Sequence, residues 1–117
     1  SEEVPEAYLE TLRQQGISWI AAGKGRIDLP KAMEALSEHF GVKRLAIVGG
    51  GHICGGFLEA GLIDEVSIMV APGIDGRKGQ TAVFDGIADT GCNPFRLKLE
   101  SVEQWPTDIV WLRYKMK

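Results

Sequence analysis

Cysteine is scarce in this chain, which has only Cys54 and Cys92 among its 117 residues. Two cysteines cannot build a disulfide framework, and these two form no CxxC pair, so both are expected to be thiols. Together with His39 and His52 they match no known metal-binding spacing, and we expect no metal site. Cys54 is better explained as a small buried residue of a helix.

Basic excess and long apolar runs are also missing. The chain has 13 Lys and Arg against 16 Asp and Glu, a net charge of −3, so nothing favours binding to nucleic acid phosphates. No apolar run approaches the roughly 20 residues that span a bilayer. The first residues, "SEEVPEAYLE", are acidic rather than signal-like. We therefore expect a cytoplasmic protein.

The composition, 44% apolar and 25% charged, is typical of one soluble domain with a core. Glycine, proline and Asp28 mark where its helices begin and end. Pro5 suits the first turn of a helix, and Asp28 can cap the start of another. The pattern predicts helices over residues 5–16, 28–40 and about 52–60, each followed or closed by a glycine (Gly16, Gly41 and Gly61).

Strands are predicted between these helices. The stretches "ISWIAA" (17–22), "RLAIV" (44–48) and "EVSIMVA" (65–71) are short and apolar. Strands that alternate with helices over short connections indicate a parallel sheet covered on both faces. The tail differs, because "FRLKLESVE" and "DIVWLRYKM" alternate apolar and polar residues around "QWPT" and predict an antiparallel hairpin. The expected fold is α/β, with a mostly parallel sheet and a C-terminal antiparallel hairpin.

A glycine-rich stretch, residues 73–93, has no convincing element. It is either a loop that contacts substrate or a long surface connection, and the pattern does not separate the two. Arg77 and Lys78 in this stretch are better explained as solvated charges than as an anion site.

Three consecutive glycines, Gly49 to Gly51, follow the predicted strand 44–48. They match neither the dinucleotide-binding GxGxxG spacing nor the ATP-binding loop, which needs Lys and Ser or Thr where Phe57 and Leu58 stand. Free N–H groups and the helix dipole at this position favour an anion. The alternative is a tight turn only. Gly55 and Gly56 inside the helix then indicate close packing against the sheet or a ligand.

The stretch "RLAIVGGGHICGGFLEAGLIDEVSIMVAPGIDG", with "LKLESVE" and "WLRYK", closely resembles the reductase domain at the C-terminus of RibD-type riboflavin-biosynthesis proteins. The resemblance extends from about Ile17 to the end and implies a three-layer α/β sandwich of the dihydrofolate-reductase-like type. It implies an NADPH-dependent oxidoreductase that reduces the ribose of a 5-amino-6-(5-phosphoribosylamino)uracil-like substrate to a ribityl chain. It also implies that Glu65 contacts the substrate's sugar chain, and that the cofactor diphosphate is bound by Gly49, Gly50 and Gly51 with His52 and Ile53 beside them.

Family members are about twice this length, so residues 1–117 are expected to be the C-terminal part of one reductase domain whose N-terminal half is absent. A sheet without its neighbouring strands exposes apolar edges, so we expect a homodimer or pairing with the missing half. Two alternatives stay open: a non-catalytic nucleotide-binding or dimerisation module of the same fold, and an unrelated flavodoxin-like domain that binds flavin. Hydride transfer needs no protein nucleophile, and we assign no catalytic residue.

Overall fold

The computed structural model describes residues 1–88, 91 and 94–117. Cys92 and part of the predicted 73–93 loop lie outside these residues. The described chain forms two compact units, Ser1–Ile47 and Val48–Lys117. It contains three helices, α1 (Glu6–Gln14), α2 (Leu29–Phe40) and α3 (Gly51–Glu59), and three strands, β1 (Glu65–Val70), β2 (Leu97–Gln104) and β3 (Val110–Met116).

The first unit contains α1 and α2, whose ends lie within two residues of the predicted ones. Pro5 precedes α1, and Gly16 follows it in the left-handed conformation (φ 67°). Asp28 caps α2, because its Oδ1 accepts a hydrogen bond from the Lys31 N–H at 3.1 Å. Ala22 and Ala32 are the buried apolar residues of this unit. The predicted helices over 5–16 and 28–40 are confirmed.

The second unit joins α3 to an antiparallel sheet with the strand order β1-β3-β2. Helix α3 confirms the prediction over about 52–60, and Gly61 follows it at φ 67°. The predicted tail hairpin is β2 and β3, which pair from Leu97 opposite Met116 to Gln104 opposite Val110. The buried residues of this unit are Cys54, Gly55, Phe57 and Val66.

The predicted parallel sheet is absent from the described residues. Strand β1 is present, but it pairs with β3 and runs antiparallel to it, from Glu65 opposite Lys115 to Val70 opposite Val110. Segments 17–22 and 44–48 are not strands. Residues 18–21 and 45–48 make no main-chain hydrogen bond with any described residue. A strand forms by main-chain hydrogen bonds to a neighbouring strand, so apolar composition alone was not enough to predict one here.

The core is smaller than the composition suggests. Only five apolar residues are buried in the described part of the chain, while large side chains such as Val48 (93% exposed) and Ile74 (99% exposed) face solvent. None of the helices in that part is long and apolar enough to cross a membrane.

Candidate functional site

The glycine turn at Gly49 to Gly51 precedes α3. Gly49 has φ 107°, a conformation that residues with a side chain rarely adopt, and the peptide bond between Gly49 and Gly50 is cis. Gly50 is the N-cap of α3, and its carbonyl accepts hydrogen bonds from the N–H groups of Ile53 and Cys54, both at 3.0 Å. The backbone therefore changes direction at the triplet and enters the helix at Gly51.

The first N–H groups of this turn are available to a ligand. Those of Gly50, Gly51 and His52 make no hydrogen bond with another described residue. A Cβ built on Gly49 or on Gly50 meets no atom within 4 Å, so open space borders the backbone there. The turn thus combines free donors, an approachable main chain and the positive end of a helix dipole, which are the features of an anion site.

Gly51 differs from its two neighbours because it is packed. A Cβ built on Gly51 would lie 2.4 Å from the Ala82 carbonyl oxygen. A Cβ on Gly55, one turn further along α3, would lie 1.9 Å from the Asp85 carbonyl oxygen. The close packing expected at Gly55 is present, but its partner is the segment around Asp85 and not the sheet.

The two residues beside the triplet have different surroundings. The ring of His52 lies against Gly86. A Cβ built on Gly86 would be 2.8 Å from the ring Cδ2. Ile53 is 55% exposed. The assignment of Gly49, Gly50, Gly51, His52 and Ile53 to a cofactor stays a prediction.

Glu65 is the first residue of β1, on the polar face of the sheet. Its Oε2 lies 3.7 Å from a guanidinium nitrogen of Arg113, and both side chains are more than one third exposed. On the same face Lys115 Nζ donates to Glu100 Oε1 at 2.8 Å. This hydrogen bond lowers the pKa of Glu100 and raises the pKa of Lys115, and the charge of Glu65 adds a smaller increase to the latter.

Trp111 and its neighbours complete the polar face. The indole N–H of Trp111 donates to Ser67 Oγ at 2.7 Å, and the Arg113 guanidinium lies 5.6 Å from the ring centroid. The ring of Trp105 meets that of Trp111 edge to face, with the centroids 6.0 Å apart. Glu65 therefore lies beside β3, whose two charged residues, Arg113 and Lys115, are both cationic. Its assignment to substrate stays a prediction.

The sequence also raised Arg77, Cys54 and a metal site as candidates. Arg77 forms a two-bond ion pair with Asp75, with one bond at 2.7 Å, so its charge is used within its own loop. Cys54 is a buried free thiol in α3. No group of three or more His, Cys, Asp or Glu side chains suited to a metal occurs in residues 1–88, 91 and 94–117.

An apolar cavity of about 370 Å³ lies within the first unit. It is bordered by the inner face of α1, by residues 19–21 and by the first residues of the chain. None of the predicted site residues lines it. Its apolar walls do not suit a phosphate, so we do not assign the cofactor to it.

Sequence reasoning missed two features of the site. It did not find Arg113 as the partner of Glu65, although the alternation of β3 places Arg113 and Lys115 on one face. It also missed the packing of Ala82, Asp85 and Gly86 on α3. The one available signal was Gly55, whose cost inside a helix requires a close neighbour.

These features define an α/β chain in which a glycine turn, whose first N–H groups have no partner among the described residues, leads into a helix. The family model of the RibD C-terminal domain matches residues 1–111. The chain therefore belongs to the RibD C-terminal domain family.

Individual relatives agree with this assignment. The chain is 30% identical over 118 aligned residues to the 2,5-diamino-6-ribosylamino-4(3H)-pyrimidinone 5′-phosphate reductase of Methanothermobacter thermautotrophicus, an alignment that covers 100% of this chain and 53% of that protein. A pyrimidine reductase-like protein from Corynebacterium diphtheriae superimposes with a TM-score of 0.79 at 27% identity, over 96% of this chain and 44% of the other. RibD of Acinetobacter baumannii superimposes with a TM-score of 0.77 at 25% identity, over 92% of this chain and 29% of the other.

The chain thus spans about half the length of this curated relative. The solved relatives likewise have further residues that this chain does not match.

Proposed function

We propose that this chain provides the cofactor-binding turn of an NADPH-dependent reductase of riboflavin biosynthesis. The substrate would be a pyrimidine that carries a ribosylamino 5′-phosphate, of the 5-amino-6-(5-phosphoribosylamino)uracil type or the diaminopyrimidinone type named for the relative. The observation that supports this most directly is the open backbone at Gly49 and Gly50 in a chain whose family match covers residues 1–111.

The residues present fit a dinucleotide's diphosphate. The N–H groups of Gly50, Gly51 and His52 have no partner among the described residues, and they lie at the first turn of α3. Main-chain donors of this kind bind phosphate oxygens without any lysine or arginine. A Cβ built on Gly49 or Gly50 would meet no atom within 4 Å, so a phosphate has space to approach the main chain closely. The adenosine 2′-phosphate, which separates NADPH from NADH, has no assigned site in this chain.

Bound NADPH would supply the hydride that converts the ribose to a ribityl chain. The protein's own contribution is to position the two molecules and to complement their charge. In this proposal the α3 turn holds the cofactor diphosphate, and the Glu65 carboxylate accepts hydrogen bonds from the hydroxyl groups of the sugar chain. Arg113 and Lys115 on the neighbouring strand supply positive charge near an anionic substrate.

We further propose that the domain is completed by a polypeptide equivalent to the half of the relatives that this chain does not match. Segments 17–22 and 44–48 are mainly apolar, and residues 18–21 and 45–48 make no main-chain hydrogen bond with another described residue. Such segments accept added strands, and this addition would create the mostly parallel sheet that the sequence predicts. A second copy of the chain, forming a homodimer, is the competing occupant. The cytoplasm stays the expected location.

Titration with NADPH, NADH and FMN, followed by tryptophan fluorescence, tests the cofactor. Saturable NADPH binding, with oxidation of NADPH when either pyrimidine substrate is added, is the expected result. Binding of FMN alone would contradict the proposal and favour a flavodoxin-like domain. The chain should be measured alone and with the complementing half. Light scattering of the chain alone shows whether it is a monomer or a homodimer, and co-elution of the two polypeptides in gel filtration shows the complex.

A second candidate is a non-catalytic nucleotide-binding or dimerisation module of the same fold. The match to the curated relative spans 53% of that protein, so it does not by itself assign the activity of the whole relative to this chain. This candidate predicts NADPH binding without oxidation of NADPH by either substrate, even when the complementing half is present.

A further inference from the structure

The segment 82–86 packs directly on the first turns of α3. We call this segment the strap. The Asp85 N–H donates to the Gly51 carbonyl oxygen at 3.0 Å, which ties the strap to the first residue of the helix. The Asp85 Oδ1 accepts from the Gly86 N–H at 2.7 Å, so the carboxylate fixes the shape of the strap itself. The strap thus contacts the helix end that bears the free N–H groups.

Three glycines allow this contact. Gly51 and Gly55 face the strap carbonyls of Ala82 and Asp85, where a Cβ would lie at 2.4 and 1.9 Å. Gly86 lies against the His52 ring, with φ 81° and only 2.8 Å between a built Cβ and the ring. Such distances leave no space for a side chain. A glycine inside a helix is destabilising relative to alanine, so the contact explains why Gly55 is present in α3.

The glycine turn therefore has two distinct sides. On one side, Gly49 and Gly50 have no atom within 4 Å of a built Cβ. On the other side, Gly51 and His52 are held by the strap through a main-chain hydrogen bond and a ring contact. Gly51 and His52 are also two of the residues whose N–H groups are free.

We propose that the strap is a positioning element for the cofactor-binding turn. It fixes the direction of the Gly51 and His52 N–H groups before the cofactor arrives, so that binding need not order them. Asp85 is in this view a positioning residue, since it acts through the turn and not on the ligand. The inference rests on the proposed function, because it assigns the strap to the same NADPH site.

The variant Gly55→Ala tests the role of the strap. Alanine favours the helix itself, but its Cβ cannot coexist with the Asp85 carbonyl oxygen at 1.9 Å, so the strap must move away. We expect the Kd for NADPH to rise by about 10- to 100-fold, the loss expected for one or two hydrogen bonds to a charged group. Far-ultraviolet circular dichroism should show that the helix content is kept.

Gly73→Ala is the matched control. Gly73 has no atom within 4 Å of a built Cβ and no positive φ, so the same chemical change should leave NADPH binding unchanged. All variants are measured in the form that binds NADPH, either the chain alone or the chain with its complementing half.

Asp85 provides a second test if Gly55→Ala fails to fold. Asp85→Ala removes the acceptor for the Gly86 N–H and should weaken NADPH binding by about 2- to 10-fold. Asp85→Asn keeps an oxygen acceptor and should restore binding. A role in stability alone would instead lower the unfolding midpoint of Asp85→Ala without changing the Kd for NADPH.

The outcomes separate this inference from the function on which it rests. If the wild-type protein binds NADPH and both Gly55→Ala and Asp85→Ala bind it equally well, the positioning role is wrong and the proposed function stands. If the wild type binds no NADPH in either form, the proposed function and the positioning role are both wrong.

Discussion

Replacing Glu65 with glutamine should weaken substrate binding and leave cofactor binding unchanged. Gln has nearly the same shape as Glu and keeps one oxygen acceptor, but it has no charge. In the proposed site the Glu65 carboxylate accepts hydrogen bonds from the sugar chain of the substrate. The change therefore converts charge-assisted hydrogen bonds into neutral ones without opening a cavity.

The expected size of the effect follows from this change in bonding. The difference between a charged and a neutral hydrogen bond is about 1 to 2 kcal/mol, or roughly a 5- to 30-fold rise in the KM for substrate. The effect on stability should be smaller. Glu65 and Arg113 lie 3.7 Å apart and are partly exposed, and such pairs contribute at most about 1 kcal/mol.

Glu100→Gln is the matched control on the same face of the sheet. Glu100 forms the shorter ion pair, at 2.8 Å from Lys115. If Glu65 acted only through its ion pair, Glu100→Gln would disturb the sheet at least as much. We expect the control to leave the KM for substrate unchanged.

The assay is steady-state oxidation of NADPH with the substrate concentration varied, together with NADPH titration by fluorescence. An equal rise in KM for both variants would show that Glu65 is only part of the surface charge. No rise in either variant would refute the assignment of Glu65 to substrate.

Three further predictions concern the turn and the sheet. Gly50→Val should raise the Kd for NADPH by about 10-fold or more, because its side chain would occupy the open space beside the turn. Valine is a poor N-cap, and this should cost no more than about 1 kcal/mol of unfolding free energy. Equal affinity would refute the turn as the cofactor site. The hydrogen bond between Glu100 and Lys115 lowers the pKa of Glu100 and raises the pKa of Lys115. The stabilisation from Glu100 is therefore present above the ordinary glutamate pKa of about 4.3, and it is lost as the pH falls through the lowered pKa. The stabilisation from Lys115 is lost only as the pH rises through the raised lysine pKa. Urea unfolding at a series of acidic pH values should therefore show a stability difference between wild type and Glu100→Gln that shrinks towards low pH, and a constant difference would contradict the pairing. Ser67→Ala should cost about 1 kcal/mol of unfolding free energy by removing the acceptor of the Trp111 N–H, and no loss in a urea titration would show that this bond contributes nothing.

Local signals in the sequence predicted the helices and the hairpin. Asp28 as a cap and Gly41 as a terminator act on residues within one turn of themselves, so they can be recognised in a single stretch. The alternation in residues 97–104 and 110–116 likewise needs only its own neighbours.

The direction of the sheet was not predictable in the same way. Residues 65–70 have the apolar composition of a parallel strand, but β1 pairs with β3, a partner from a distant part of the chain. Segments 17–22 and 44–48 also have the composition of strands, but they have no neighbouring strand among the described residues. Pairing is a nonlocal property, and composition reports only that a segment can pair.

The position of the glycine turn was predictable from the sequence. Which of its glycines is packed and which is open was not. Spacing places Gly49 to Gly51 before a helix, which suffices to suggest an anion site. That Gly51 is packed while Gly50 is open depends on Ala82 and Asp85, which are far along the chain.

The place of β3 in the sheet has a consequence for how the protein is made. Strand β3 lies between β1 and β2, which do not pair with each other, yet it is the last of the three to leave the ribosome. The two earlier strands therefore wait during translation with their main-chain groups unpaired, and the sheet forms only once β3 has emerged. Stalling before residue 110 would leave a nascent chain prone to aggregation and dependent on chaperones.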